Sequence, residues 1–270
     1  MNKFRAPSIA LMIASVSSAL STQRAAAEPA DELPRSTWQF TAGLGAMAMP
    51  RFPGSDRTRY LALPMFNVSY GRFFLGEAPG SGSGGGLGVN LYQDSHWRLG
   101  TSISGDFIKP RKESDDPRLH GLGDISGTAR ASLFAAYTQD WVTLRANVSS
   151  DIAGHGEGTL VGVDLEGHYH PIERLTLSAG PGFTWANGPY LRTFFGVSAA
   201  QSAASGLPPF EPGSGVDTIR FSAGAHYHLT SAWSLGARAN LSRLRGDVAD
   251  SPITEARNQN TYALFAAYHF

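Results

Sequence analysis

The chain has 270 residues and a formal net charge of zero, which disfavours nucleic-acid binding through a basic field. It contains no cysteine, so disulfides, thiol nucleophiles and thiolate metal sites are excluded, and an oxidising compartment fits. Its 31 glycines, 11% aromatic residues and only 16% charged residues favour many strands and turns over a disordered chain.

The N-terminus is typical of a secretory signal peptide. Lys3 and Arg5 precede a short apolar run, and a stretch of three alanines ends just before Glu28. We therefore predict a signal peptide over 1–27, a short N-terminal periplasmic segment over 28–35 and a single barrel domain over 36–270. The apolar run is far shorter than the roughly 20 residues of a membrane-spanning helix, and no other segment approaches that length, so we expect no transmembrane helix.

From residue 36 onward, apolar and polar side chains alternate in segments of about ten residues, the length that a tilted strand needs to cross a bilayer. Trp38, Phe40 and Leu44, for example, alternate with Gln39 and Thr41. A soluble β-sandwich would pack its inner face with large side chains, whereas this polar face consists of glycine, serine, threonine and arginine. The pattern therefore predicts an all-β protein, a closed antiparallel transmembrane β-barrel whose outer face meets lipid.

We predict twelve strands, which places both ends of the barrel on the periplasmic side. Their ranges are 37–47, 59–70, 72–77, 85–92, 97–107, 124–137, 140–150, 159–169, 173–184, 217–228, 232–243 and 261–270. Residues 190–197 would make a thirteenth strand and reverse the side of the C-terminus, so we assign them to a long external loop that folds over or into the mouth. Pro64 and Gly71 leave open whether 59–75 is one bent strand or two short ones.

The connections between these strands alternate in length. Tight turns are predicted at 94–96, 138–140, 171–173 and 230–232, and long polar segments at 109–123, 188–215 and 245–260. In outer-membrane barrels, short turns face the periplasm and long loops face the outside. The alternation therefore predicts the orientation of the barrel.

Aromatic residues gather beside the predicted short turns, as amphipathic rings do at a lipid–water interface. Strands that enter these turns end on tyrosine, and four of the five tryptophans begin the strands that leave them. The predicted periplasmic girdle consists of Tyr70, Tyr92, Tyr137, Tyr169, Tyr227, Tyr268, Trp38, Trp97, Trp141 and Trp233.

The last ten residues form the most apolar predicted strand. Tyr262, Leu264, Tyr268 and Phe270 share one face, which would invite aggregation at an open sheet edge in water and suits a strand that closes a barrel in lipid. This segment resembles the C-terminal signal strand of bacterial outer-membrane proteins. The resemblance implies recognition by the barrel assembly machinery, with Tyr268 and Phe270 as the assembly signal.

Two histidine pairs have a spacing that can ligate metal, because residues two apart on a strand share a face. They are His168 with His170 and His226 with His228. Their predicted strands are separated by another strand, and Asp164 and Glu166 are the only carboxylates near them. We therefore interpret the histidines as polar rim residues, with metal binding as the alternative.

No segment has the residues of a catalytic or cofactor site. Ser205 and Ser251 lie in predicted loops without a nearby histidine and are interpreted as turn formers. The glycine-rich stretch 80–86 lacks the lysine and the following helix of a phosphate-binding loop, so we interpret it as a flexible loop. We expect a protein that is not an enzyme, with no catalytic residue, no cofactor and no metal.

Arginines dominate the charged residues of the predicted interior. They are Arg98, Arg130, Arg145, Arg174, Arg220 and Arg238, opposed by Asp106, Asp164 and Glu166. A surplus of guanidinium groups inside a barrel can select anions. The interpretation that we favour is an ion-paired, water-filled interior, and the alternative is a conducting path.

Seven short segments resemble, in order, the MltA-interacting protein (MipA/OmpV) family. They are Pro50-Arg51-Phe52-Pro53-Gly54-Ser55, Leu63-Pro64, Gly86-Leu87-Gly88-Val89-Asn90, Leu122-Gly123-Asp124, Phe195-Gly196-Val197-Ser198, Ser205-Gly206-Leu207-Pro208, and Gly246-Asp247 with Ala249-Asp250-Ser251-Pro252-Ile253. The family consists of outer-membrane β-barrels, and the member that gives it its name resembles a scaffold joining a lytic transglycosylase to a bifunctional peptidoglycan synthase.

The resemblance implies a barrel in the outer membrane of a Gram-negative bacterium, surrounded by outer-membrane lipid. Its implied role is to scaffold peptidoglycan-remodelling enzymes, with a lytic transglycosylase and a peptidoglycan synthase as partners. Other members resemble porins or adhesins. Two alternatives therefore stay open: a narrow channel for small anionic solutes, and an adhesin that presents the segment 188–215.

Overall fold

A computed structural model of the protein describes residues 38–76, 86–105 and 110–270. The predicted signal peptide over 1–27, the segment 28–35, most of the glycine-rich stretch 80–86 and Asp106 lie outside the described residues. Within the described part, no helix has the length and apolarity that crossing a membrane requires.

Twelve strands form one closed antiparallel barrel, in which each strand pairs with its neighbours in sequence and β1 pairs with β12. The strands are β1 (Trp38–Pro50), β2 (Thr58–Tyr70), β3 (Phe73–Gly76), β4 (Gly86–Gln93), β5 (Trp97–Gly105), β6 (Ala129–Gln139), β7 (Val142–Asp151), β8 (Thr159–Ile172), β9 (Leu175–Ala186), β10 (Gly215–His228), β11 (Trp233–Leu244) and β12 (Thr261–His269). The predicted fold class and strand number are confirmed.

Alternating burial shows which face of each strand is turned outward. In β12, Leu264 is 63% exposed, whereas its neighbours Ala263 and Phe265 are each 6% exposed. The outer face carries leucine, isoleucine, valine and aromatic side chains on every strand, for example Leu44, Ile103 and Leu133. A continuous apolar surface of this kind is stable in lipid and would aggregate in water.

Several predicted boundaries shift for local reasons. The ambiguity over 59–75 resolves into two strands, because Gly71 adopts a φ of 55° in a tight turn between β2 and β3, a conformation that glycine accepts at low cost. β6 begins at Ala129 instead of 124, since Ile125 pairs with Arg111 in an isolated bridge outside the barrel wall.

The segment 190–197 is not a strand. Helix α1 (Gly188–Phe195) and helix α2 (Ala199–Ser205) occupy the connection between β9 and β10, and a short helix α3 (Asp247–Asp250) lies between β11 and β12. Asn187 caps α1 by accepting a hydrogen bond from the Tyr190 N–H, and Ser198 caps α2 together with Gln201. The prediction that 190–197 does not span the membrane is therefore correct.

The barrel has two different ends. One end, here called the turn rim, carries the connections 71–72, 94–96, 140–141, 173–174 and 229–232 together with the first residue of β1 and the last residue of β12. The other end, called the loop rim, carries the longer connections, of which 51–57, 110–128, 152–158, 187–214 and 245–260 are described. The predicted alternation of short and long connections is present in the structure.

Candidate functional site

The five described connections of the loop rim pack into one unit, here called the cap (51–57, 110–128, 152–158, 187–214 and 245–260). One apolar cluster joins α1 to the strand ends: Leu191, Phe194 and Phe195 pack with Ala186 of β9 and Leu244 of β11. These connections leave the barrel all round its circumference. Their mutual contact therefore places the cap across the mouth.

A second apolar cluster joins further segments of the cap. It consists of Phe52, Leu119, Leu122, Val197 and Ile253, which come from four different connections. Five of the seven segments that resemble the family in sequence contribute a side chain to one of the two clusters or pack against it. The resemblance is therefore concentrated where the cap is built.

Hydrogen bonds satisfy the polar backbone inside the cap. The Arg111 guanidinium, 2% exposed, donates to the Phe194 carbonyl at 2.9 Å, and the Ser251 hydroxyl donates to the Phe195 carbonyl at 2.6 Å. Burial lowers the pKa of Arg111 to about 10, which leaves it charged at neutral pH. The last carbonyls of α1 are thus held by side chains from two other connections, as buried helix ends require.

Ion pairs between exposed arginines and largely buried acids tie the cap segments together. Arg57 lies 3.1 Å from Asp116, and Arg118 lies 3.0 Å from Glu255. Gly54 adds backbone contacts, since its N–H donates to Gln259 Oε1 at 2.9 Å and its carbonyl accepts from the Glu255 N–H at 2.8 Å. The cap is a packed structure with its own core and not a set of open loops.

Most of the predicted interior arginines lie beside carboxylates. Arg145 binds Glu166, Arg238 lies 3.9 Å from the same carboxylate, and Arg130 binds Glu157 at 2.5 Å. Arg220 donates two hydrogen bonds to the Asp164 carboxylate, of 2.6 and 2.7 Å. This geometry supports the ion-paired interior more than an open surplus of positive charge.

Two of the six arginines are placed differently. Arg98 lies partly buried on β5 near Arg145. Arg174 is exposed in the turn between β8 and β9, so the prediction that it points into the interior is wrong. β8 runs on to Ile172 and β9 begins only at Leu175, so the turn falls on 173–174 and places Arg174 at the rim.

Three phenylalanines point into the barrel, and the sequence did not predict this. Phe74, Phe134 and Phe265 are almost fully buried, and each is the direct cross-strand partner of a glycine. A Cβ atom on Gly88, Gly100 or Gly236 would lie 2.1, 2.3 or 2.0 Å from the Cζ atom of the facing ring. The glycines therefore make room for rings that fill the interior, and only the strand register reveals the pairing.

The two histidine pairs occupy different environments. His226 is buried and packs against His228 and Phe265, with ring centroids 4.6 and 6.1 Å away. His168 contacts Thr143 at 3.2 Å, whereas His170 is exposed. Among the described residues, no group of three or more histidine, cysteine or acidic side chains is arranged to hold a metal ion.

The two predicted turn-forming serines make structural hydrogen bonds. The Ser205 hydroxyl donates to the Gln201 carbonyl at 2.7 Å and accepts from the Leu207 N–H at 3.2 Å at the end of α2. Ser251 holds the end of α1 through its bond to the Phe195 carbonyl. Neither hydroxyl points to a nucleophilic role.

The predicted girdle residues gather at the turn rim. Trp38 packs on Tyr70, Trp97 on Tyr137 and Trp233 on Tyr268, with ring centroids 4.7, 4.8 and 5.2 Å apart. Each pair is a direct cross-strand neighbour. Tyr92, Tyr169, Tyr227 and Trp141 are at least partly exposed at the same end. Their role at a membrane interface stays a prediction.

Hydrogen bonds to one aspartate hold a turn of the turn rim in a fixed conformation. Asp94 accepts hydrogen bonds from the N–H groups of Trp97 and His96, at 2.6 and 2.8 Å, and from the Tyr92 hydroxyl at 2.7 Å. These bonds hold the pKa of Asp94 below its ordinary value. The girdle residues Tyr92 and Trp97 are thereby fixed relative to the turn.

Comparison with known proteins adds a family and a location. The family model described as MltA-interacting protein MipA matches residues 42–270. The MltA-interacting protein of Escherichia coli K12 is 26% identical over 79% of this chain and 82% of its own length. The outer membrane protein Omp26La of Vibrio anguillarum is 24% identical over 64% of this chain and 65% of its own length.

Among solved structures, an outer-membrane channel from Pseudomonas putida F1 matches with a TM-score of 0.47 and 14% identity, over 90% of this chain and 100% of that one. A similarity of that degree carries no functional conclusion. The relatives named as outer-membrane proteins, the closed barrel and its apolar outer face place this protein in the outer membrane of a Gram-negative bacterium.

Proposed function

The chain belongs to the MltA-interacting protein MipA family, and from this membership and its capped barrel we propose that it is a non-enzymatic scaffold for peptidoglycan-remodelling enzymes. In this role the barrel anchors a lytic transglycosylase, and through it a peptidoglycan synthase, beneath the outer membrane. The relative that is named for an interaction with MltA supports the first of these partners.

The packed cap is the observation that carries the proposal. A channel needs an open path, whereas here α1 lies across the mouth on a core of Leu191, Phe194 and Phe195. Below it, Phe134 and Phe265 occupy interior space. A barrel whose mouth is closed in this way can serve as a rigid anchor, and we expect it not to conduct solutes.

The turn rim is the face that we assign to the partner. Its turns are short, so a partner would contact a shallow ring of side chains and not a projecting domain. Exposed apolar residues, including Ile172 and Leu229, lie within or beside these turns. An enzyme that also binds murein needs only a weak contact of this kind to be kept near the membrane.

A narrow anion channel is the second candidate. Arg98 and Arg238 lie partly buried in the barrel wall, and Arg238 shares Glu166 with Arg145. The cap and the bound pairs Arg145–Glu166 and Arg220–Asp164 support the scaffold over this candidate. An adhesin that presents 188–215 fits less well, because α1 is buried in the cap.

Site-specific photo-crosslinking in cells of the native bacterium tests the scaffold. A crosslinking residue at Ser95, Gln139 or Ser231 on the turn rim should capture a lytic transglycosylase. The same residue at Ser114 or Ala203 on the cap is the matched control and should not. Failure of all three turn-rim positions, combined with steady single-channel currents from the purified wild type, would overturn the scaffold in favour of the channel.

A further inference from the structure

A cavity of about 450 Å³ lies between the cap and the interior of the barrel. Its apolar wall includes Phe194 and Phe195 of α1, and its polar wall includes Arg59, Arg130, Glu157 and Asp217. This volume is in the range of small-molecule sites, which typically measure about 300–1,000 Å³ and combine apolar walls with a few placed polar groups.

Asp217 is turned into this cavity by an irregularity in the sheet. The pairing of β10 with β9 passes from Val216 to Thr218 with a register shift, so Asp217 is the extra residue of a β-bulge. Bulges re-aim side chains and are common next to functional sites. Val216 on the outer face is 40% exposed, whereas Asp217 is only 6% exposed and lines the cavity.

One carboxylate oxygen of Asp217 is left without a partner. The buried Oδ1 atom has no hydrogen-bond partner among the described residues. A buried carboxylate oxygen without a donor is unfavourable, and native structures rarely leave one. The cavity in front of Asp217 is where a donor would have to come from.

The other charged groups around the cavity are already matched. Arg130 binds Glu157 at 2.5 Å, and Arg59 lies near Asp115 of the cap. Arg220, the cation near Asp217, is held by Asp164 and by the Thr184 hydroxyl. Asp217 is therefore the acidic side chain at the cavity that is not already held by an arginine. The site favours a positively charged donor.

We propose that this cavity binds a small solute with a primary ammonium group, which donates to Asp217 while its apolar part packs against Phe194 and Phe195. An ammonium supplies both the charge and the hydrogen-bond donors that Oδ1 lacks. The proposal does not depend on the scaffold role, because it concerns the side of the barrel opposite to the turn rim.

The test uses benzylammonium as the probe, with benzyl alcohol and benzoate as neutral and anionic counterparts of similar shape. Binding to the refolded full barrel in detergent is measured by ligand-observed NMR and calorimetry for the wild type, Asp217→Asn and Asp250→Asn. Asp250 is an exposed acid of the cap that pairs with Arg257 outside the cavity, so its variant removes the same charge without changing the site.

We expect the wild type and Asp250→Asn to bind benzylammonium equally and in preference to both counterparts. Asp217→Asn should bind it roughly tenfold or more weakly, since a hydrogen bond to a charged group is lost. Equal binding by Asp217→Asn, equal binding of benzyl alcohol, or no saturable binding to the wild type would each overturn the proposal and leave a cavity occupied by water only.

Discussion

At the scale of single residues, the interior depends on complementary pairs that face each other across strands. Each inward phenylalanine covers a glycine on the neighbouring strand, as Phe265 covers Gly236. The buried arginines also pair across strands, since Arg145 on β7 binds Glu166 on β8. Both kinds of pair fill space or neutralise charge only if the strand register is kept.

Replacing Gly236 with alanine should destabilise the barrel. The new Cβ would lie 2.0 Å from the Cζ atom of Phe265, and the ring has little room to move within the barrel. Overpacking of this kind costs about 1–3 kcal/mol. Urea-induced unfolding in lipid vesicles measures the change, and Gly215→Ala is the control, because a Cβ there meets nothing within 4 Å. Equal stability of the two variants would show that the Phe265 ring does not fill the space above Gly236.

Breaking the buried pair Arg145–Glu166 should be costly, whereas removing both charges should cost much less. Arg145→Met leaves a buried carboxylate poorly compensated and should lower the free energy of unfolding by on the order of 3 kcal/mol. The double variant with Glu166→Leu should recover most of that loss. Arg257→Met, which breaks an exposed pair with Asp250, is the control and should change little. Additive effects of the two interior changes would contradict the pairing.

The sequence predicted most of the inward arginines and the opposing acids Asp164 and Glu166, but not which arginine each acid binds. The alternation along β7 and β10 gives the direction of Arg145 and Arg220, because direction on a strand is a local property. Glu157, which binds Arg130, lies in a connection whose path the sequence does not specify. Phe74 and Phe134 were missed for a similar reason, since a large residue among small polar ones can be recognised as filling only when the glycine opposite it is known.

At the scale of elements, the strands follow from periodicity and the helices of the cap do not. The signals for α1 and α2 are present in the chain: Asn187 as an N-cap, Ser198 with Gln201 as a capping box, and Gly206 at a φ of 78° as the end of α2. In the sequence, these helix signals are outweighed by the β-branched and aromatic residues around 190–197, which favour a strand. The apolar face of α1 is explained only by the strand ends on which it packs.

The closing strand should tolerate no charge on its outer face. Tyr268 packs against Trp233 and Phe270, with ring centroids 5.2 and 4.7 Å away, and faces outward on β12. Tyr268→Asp or deletion of Phe270 should reduce the amount of barrel in the outer membrane, because the ring contacts are lost and an acid on the lipid-facing side near the interface costs up to about 1 kcal/mol. Ser231→Asp in a turn is the control. Normal levels of both variants would contradict the assigned face.

Opening the cap should be possible without unfolding the barrel. Phe195 is 1% exposed in the core of the cap, so Phe195→Ala should cost about 3–5 kcal/mol of cap stability. We expect new proteolytic cleavage within 187–214 and a rise in planar-bilayer conductance above a silent wild type. Ser202→Ala on α2 is the control. A wild type that already conducts as strongly as Phe195→Ala would contradict a closed mouth.

At the scale of the whole molecule, the two ends of the barrel differ in structure. The turn rim concentrates aromatic pairs and short turns, while the loop rim carries a packed cap with a cavity below it. Strand number and the end of the barrel at which each connection lies could be predicted, because both depend on local alternation and loop length. The sequence also predicted that 190–197 folds over or into the mouth, but not the packing of five connections into one cap, since its clusters join residues as distant as Phe52 and Ile253.

Cysteine accessibility on intact cells shows directly whether the capped end of the barrel faces outward, and the chain has no native cysteine to interfere. A membrane-impermeant maleimide should label cysteines at Ser114 and Ala203, which are exposed on the cap, and should label those at Ser95 and Ser231 only after the outer membrane is opened. A cysteine at Ser251, which is buried beneath α1, should stay unlabelled in both cases until the protein is unfolded. Labelling of Ser95 or Ser231 on intact cells, or ready labelling of Ser251, would contradict a barrel that is capped on its outer side.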